Sequence, residues 1–362
     1  MQHDSSLHSP VLPVLGCTLL IAVAAYQDSF APPTFSPGAG VEVTRTFAWQ
    51  ISSSTSEVEV LLGGQVSDAV PVVKSDKNEE ASLTLKDTYV RSATNQYLQL
   101  RRSFDDISYE SEGELQIEGM GAGTASLAIA CDGDSELDGV AVEFAWDADA
   151  EEYAVKYADD YEGEAELLEP LRPDADFLVL LPEPLEDVEV GSSWDVEASA
   201  LADVLLPSGR VPIVKESDMS SLQGAVDPLL SPGVLETLGG DSSGEIEVTV
   251  KGRDGALITL ALAVEVSFEA ALEDDMAELL DGAAPEEIDL EMRTANFSSV
   301  LEGEGTLVWD TEANLPRSIQ LDLATTLAVE IEVFVGGGGV DAPFELNEER
   351  EGTLAFTMEL DE

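Results

Sequence analysis

The chain has 362 residues, 44% of them hydrophobic, which is enough for one large all-β domain or two smaller ones. Its 74 acidic residues against 16 basic ones give a formal net charge of −58, a field that disfavours nucleic acid and anionic membrane surfaces as partners. Both histidines, His3 and His8, lie in the first ten residues, so Ser-His-Asp and Cys-His catalysis, His-ligated zinc and His general bases are excluded downstream.

Val11–Ala25 (VLPVLGCTLLIAVAA) is an apolar run of signal-peptide length, short for a membrane span. Small residues before Ala24 and Ala25 offer a cleavage site after either. The flank is poor for a signal, because Met1–Pro10 has no Lys or Arg and carries Asp4. Val14-Leu15-Gly16-Cys17 resembles a lipobox, which makes Cys17 a candidate lipid anchor, yet the apolar run continues past it. An uncleaved anchor is the third reading. The expectation is an exported protein, periplasmic, cell-surface or extracellular. Its signal occupies 1–25, a Pro/Gly linker 26–40, and a single large β-rich domain 41–362, with a seam near 171–186.

Strand candidates follow in order. Val41–Ile51 places Val41, Val43, Phe47, Trp49 and Ile51 on one face, with Arg45 the odd member. Val58–Leu62, Leu83–Val90 and Tyr97–Arg101 come next, and Glu114–Ile117 and Ser126–Ala130 flank a glycine-rich bend at 119–123. Cys131 is the lone cysteine after Cys17, so it is expected as a small hydrophobe without an intramolecular disulfide. Residues 132–138 alternate carboxylates like a calcium loop, but Ala145 stands where the bidentate Glu belongs, so a turn is expected. Gly139–Trp146 and Tyr153–Tyr157 read as a hairpin.

Glu162–Glu169 reads as a short helix closed by Pro170. Phe177–Pro182 and Pro184–Trp194 lead into another strand. Val234–Leu238, stopped by Gly239, is a second helix. From 244 to 334 the pattern is of long strands. Glu245–Val250 turns at Arg253-Asp254-Gly255 into Ala256–Phe268, where Ile258, Leu260, Leu262, Val264, Val266 and Phe268 mark a buried face. Gly305–Trp309 and Arg317–Val335 continue around a turn at Asp310–Asn314. Ala271–Asp281 interrupts them as a helix with Leu272, Met276, Leu279 and Leu280 at helical spacing. Gly336–Gly339 lacks the Lys and Ser/Thr of a phosphate cradle. The pattern W-D-x-[DE]-A occurs at Trp146, Trp194 and Trp309; duplication and chance in an acidic, Ala-rich chain weigh equally.

Four stretches carry a resemblance: KDTYV…LRRSFDD (86–106), SELDGVAVEF (135–144), LPEPLEDVEVGSSW (181–194) and LEGEGTLVWD (301–310). They resemble an uncharacterised family of exported bacterial β-rich proteins. Long sheets of this kind are similar to the half-barrels of bacterial lipoprotein carriers, which implies a lipid held between sheet and helices.

The expected fold is mainly β: a large twisted antiparallel sheet or open half-barrel with a few short helices packed on it. The expected function is non-enzymatic, an exported binding or envelope-associated protein. An apolar small molecule or lipid would sit under Leu272, Met276, Leu279 and Leu280, with no cofactor and no catalytic or metal-ligating residue assigned. The second class is a structural or surface-interaction module with a solid core. A carboxylate-dependent hydrolase is the third.

Overall fold

Alternation of inward and outward side chains runs much farther along each strand than the short apolar runs suggest. A computed structural model describes residues 29–66, 72–118, 125–174, 176–182, 187–217, 233–273, 276–277, 288–337 and 340–361. Six of the strands are 22 or 23 residues long: β1 (Val41–Leu62), β3 (Val72–Ala93), β4 (Gln96–Glu118), β12 (Ile288–Asp310), β13 (Leu315–Gly337) and β14 (Val340–Asp361). At about 3.3 Å per residue each spans roughly 70 Å. The shorter strands are β2 (Gln65–Val66), β5 (Ala125–Asp134), β6 (Val140–Asp147), β7 (Glu152–Tyr157), β8 (Ser193–Glu197), β9 (Val214–Ser217), β10 (Asp241–Asp254) and β11 (Leu257–Ala271).

Among the described residues they form one open antiparallel sheet of 14 strands, eleven of them in the order β7-β6-β4-β3-β1-β14-β13-β12-β11-β10-β8, with β2, β5 and β9 off this path. Two meanders therefore meet in the middle, where β1 pairs with β14 from Thr44↔Asp361 to Leu62↔Phe344. A bulge between Thr55 and Glu57 shifts the parity, so Phe47, Trp49 and Ile51 point inward before it and Val60 after it. β4 forks: its first part pairs with β6 and its second with β5, which leaves the main path and pairs with β9.

One face of the sheet is buried. Its main apolar cluster joins Phe47, Phe104 and Phe144 from the first meander to Ile258, Leu307 and Phe356 from the second. All six residues expected on the buried face of β11 are there. Leu171, Phe177, Leu180 and Leu181, at the expected seam, pack into the same cluster. A second, smaller cluster lies farther along the sheet around Phe297, Leu327 and Val329. Between the two runs a polar belt on the same inward parity. One of its rows is Lys77, Ser53, Gly352 and Thr325. In the next, Arg350 grips Glu348 through two bonds of 2.7 and 2.8 Å, and Thr55 donates to Glu348 at 2.8 Å.

Short segments cover the inward face. Residues 30–37, expected as linker, are a packed strap instead. Phe35 packs edge-on against Tyr89 and tilted against Tyr97, Asn95 bonds both its amide and carbonyl, and Trp309 Nε1 donates to the Thr34 carbonyl at 3.2 Å. Prolines here fix an extended strap rather than a free tether. The expected helix 162–169 is a single 3-10 turn, Ala165–Leu167. The extended stretch expected at 177–182 holds another, Phe177–Leu180, because the Asp176 carboxylate accepts the Phe177 N–H at 2.7 Å. Helix α1 (Ala200–Leu205) buries Leu201, Val204 and Leu205 and was not expected; α2 (Val234–Thr237) was.

The outward face is polar. Glu197, Glu245, Glu265 and Glu302 stand directly opposite one another in a single row across β8, β10, β11 and β12. Asp195, Glu247, Glu304 and Asp322 lie in the row beside it.

Candidate functional site

On the inward face Ala81 sits in one cross-strand row between Trp49 and Tyr109. A methyl group between two large rings leaves a hollow. The chain after α1 and the first turn of α2 roof it, and the result is a cavity of about 250 Å3. Its walls are mostly apolar: Trp49, Ile51 and Ala81 from the sheet, Val211, Ile213 and Leu235 from the roof. Two devices hold the roof. Trp49 Nε1 donates to the Leu205 carbonyl at 2.9 Å. Gly133 lets the roof approach, since a Cβ there would sit 2.8 Å from Ile213 and 3.1 Å from Tyr109.

The polar groups of the cavity are few and placed. Glu79 accepts a short hydrogen bond from the Tyr109 hydroxyl and pairs with Lys77 Nζ at 2.7 Å. Burial by itself would raise the Glu79 pKa, but Lys77 and these hydrogen bonds outweigh it and hold the carboxyl below its usual value. Burial, and then Glu79, push the Tyr109 hydroxyl far above its ordinary value. Neither group titrates near neutrality, so the pair is fixed scaffolding rather than a proton shuttle. Lys215, presented by β9, lies 4.4 Å from the centre of the Tyr109 ring.

Arg210 and Glu236 line this cavity and also a neighbouring open groove of about 560 Å3 bounded by Asp241, Glu269 and Leu272. The Arg210 guanidinium donates to the Glu236 backbone carbonyl at 2.8 Å.

A second buried polar cluster lies deeper. Asp87 accepts two bonds from Arg102, at 2.7 and 2.9 Å, and one from Arg45 at 2.6 Å. Arg45 also donates to Asp176 at 2.6 Å, as does the Tyr97 hydroxyl. Two cations and two anions balance. Among the described residues, Arg45 Nε, Arg102 Nη1 and the Tyr89 hydroxyl find no hydrogen-bond partner. The cluster ties the 3-10 turn Phe177–Leu180 to the sheet.

Two of the four expected cover residues, Leu272 and Met276, fall elsewhere. Met276 is buried in the second apolar cluster with Phe297, Leu327 and Val329, and Leu272 is half-buried beside it. Leu279 and Leu280 lie outside the described residues. At 132–138 Ser135 and Leu137 close a tight turn, and among the described residues no three acidic, Cys or His side chains gather as a metal site. Sequence reasoning missed Glu79, Ala81 and Tyr109. Their signal was Glu79 itself, a charge on the inward parity of the Leu83–Tyr89 strand two residues beyond a small Ala.

No family model and no curated protein sequence matches this chain. Among solved structures it is similar to the outer membrane protein OprG from Pseudomonas aeruginosa, at 4% identity and a TM-score of 0.26, covering 89% of this chain and 97% of that one. It is also similar to an outer membrane channel from Pseudomonas putida F1, at 7% identity and a TM-score of 0.19, with the same two coverages. Likenesses this slight carry no argument about fold or function. The faces of the sheet speak for themselves: a membrane barrel turns an apolar band outward, whereas these strands turn rows of carboxylates outward.

Proposed function

We propose that the chain is an exported, non-enzymatic binding protein of the cell envelope that takes a small apolar ligand into the cavity roofed by residues 206–215 and 233–236. The observation that carries this reading is the cavity itself. It has apolar walls, few polar groups, and a volume of about 250 Å3, above the roughly 150 Å3 that suffices for a benzene ring. The fixed ionisation of Glu79 and Tyr109 supports binding over catalysis. The apolar run at 11–25 supports export.

The test uses the neutral probe N-phenyl-1-naphthylamine with the full chain. The wild type is expected to bind it with a blue-shifted rise in fluorescence. Ala81→Phe fills the hollow between Trp49 and Tyr109 and is expected to abolish the signal while leaving the melting temperature close to the wild-type value. A wild type that leaves this and other apolar probes dark would overturn the reading. The solid structural module would then stand, favoured by the way Met276 already fills its place on the sheet.

A further inference from the structure

Two of the three charged side chains at the exposed rim of the cavity are cations, Arg210 and Lys215, with Glu236 the third, in a chain that is otherwise overwhelmingly acidic. Trp49, Ile51 and Ala81 form its inner wall, while Arg210 and Lys215 are exposed at its edge. Lys215 Nζ stands 3.6 Å from Glu236 Oε1, and both side chains are about two-fifths exposed. Pairs of that kind contribute little and exchange partners easily. Arg210 spends one donor on the Glu236 carbonyl. A guanidinium carries five N–H donors in a planar fork that matches a carboxylate. Gly239 seats this fork, since a Cβ there would lie only 2.5 Å from Arg210 Nη2.

Resting on the function proposed above, we infer that the ligand is a short amphiphile with an anionic head: its tail fills the cavity and its head sits on Arg210 and Lys215. A cavity of about 250 Å3, above the roughly 150 Å3 that holds a benzene ring, takes a short hydrocarbon tail. The net charge of −58 repels such a ligand at long range. Within a Debye length of about 8 Å, the two rim cations act on the head directly, once it displaces Glu236 from Lys215. The competing arrangement is a cationic head reaching past Arg210 to Glu236, Asp241 and Glu269 in the groove.

Displacement of N-phenyl-1-naphthylamine by octanoate, octanol and octylamine separates these. Octanoate is expected to displace the probe at about one-tenth the concentration that octanol needs, the size of one charge-assisted hydrogen bond. In the double variant Arg210→Gln, Lys215→Gln, the advantage of octanoate over octanol, read as the ratio of the two in the same variant, should disappear. Both substitutions are at exposed positions, and a melting curve on the variant confirms that it is folded. Octanoate no better than octanol, a preference that survives the double substitution, or tighter binding of octylamine would each overturn the anionic head while leaving the cavity reading intact. Failure of the probe and of all three competitors would overturn both.

Discussion

Asp87 and Asp176 face inward, where Arg45 and Arg102 meet them in a space closed to water. Burial by itself raises the Asp87 pKa, but Arg102 and Arg45 bring it below the usual value. A carboxyl depressed in the fold stabilises it above the unfolded pKa of about 3.9, and that contribution is lost as pH falls through the folded value. Acid unfolding of the wild type should therefore extend below about pH 4, and it should lose this lower limb in Asp87→Asn. That variant leaves two guanidinium groups facing one buried carboxylate and should lose about 3–5 kcal/mol of stability in urea melts at neutral pH. A loss below about 1 kcal/mol would mean that water reaches the cluster. Arg45 was visible in the sequence as a charge on an apolar strand face. Its partners were not, because Asp87 and Asp176 stand 42 and 131 residues away. The repeated Trp-Asp pattern has a local reason. In two of the three copies, Asp147 and Asp310 each accept two backbone N–H bonds that close a hairpin, and Glu151 and Asn314 then take a positive φ of 56° and 54°.

Among elements, strand positions were legible and strand lengths were not. Alternation located Ile258 to Phe268 with no ambiguity, because every inward residue there is apolar. The first meander looked fragmented because Lys77 and Glu79 on β3 and Ser53 and Thr55 on β1 also point inward. The polar belt erased the period that reveals a strand. The cavity was illegible for the same reason, since it lies where that belt meets the main apolar cluster. The outward row of Glu197, Glu245, Glu265 and Glu302 places like charges directly opposite one another, and each such pair destabilises a sheet by roughly 0.2–1 kcal/mol. Glu265 has a glutamate on either side. Glu265→Gln should raise the melting temperature in about 0.01 M salt and have little effect in about 1 M salt, where the screening length shrinks from roughly 30 Å to 3 Å. An equal gain at both salt concentrations would show that the effect is not electrostatic.

For the molecule as a whole, the pairing of β1 with β14 is the join between its two halves. The last strand left little trace in the sequence reading, because Glu348 and Arg350 break its alternation before Leu354, Phe356 and Met358 restore it. Deleting residues 340–361 would expose β1 and β13 as two edges some 70 Å long, each an open template for association. The truncated chain is expected to aggregate in size-exclusion chromatography, where the full chain elutes as a defined species. A soluble truncation with a cooperative melt would show that the meanders fold independently.

The same join sets a timetable. A ribosome makes β1 long before β14, so the centre of the sheet stays unzipped until β14 has been made. Closing so long a loop is slow, so this join is the last pairing of the sheet to form. Late closure of the sheet is then a consequence of its strand order.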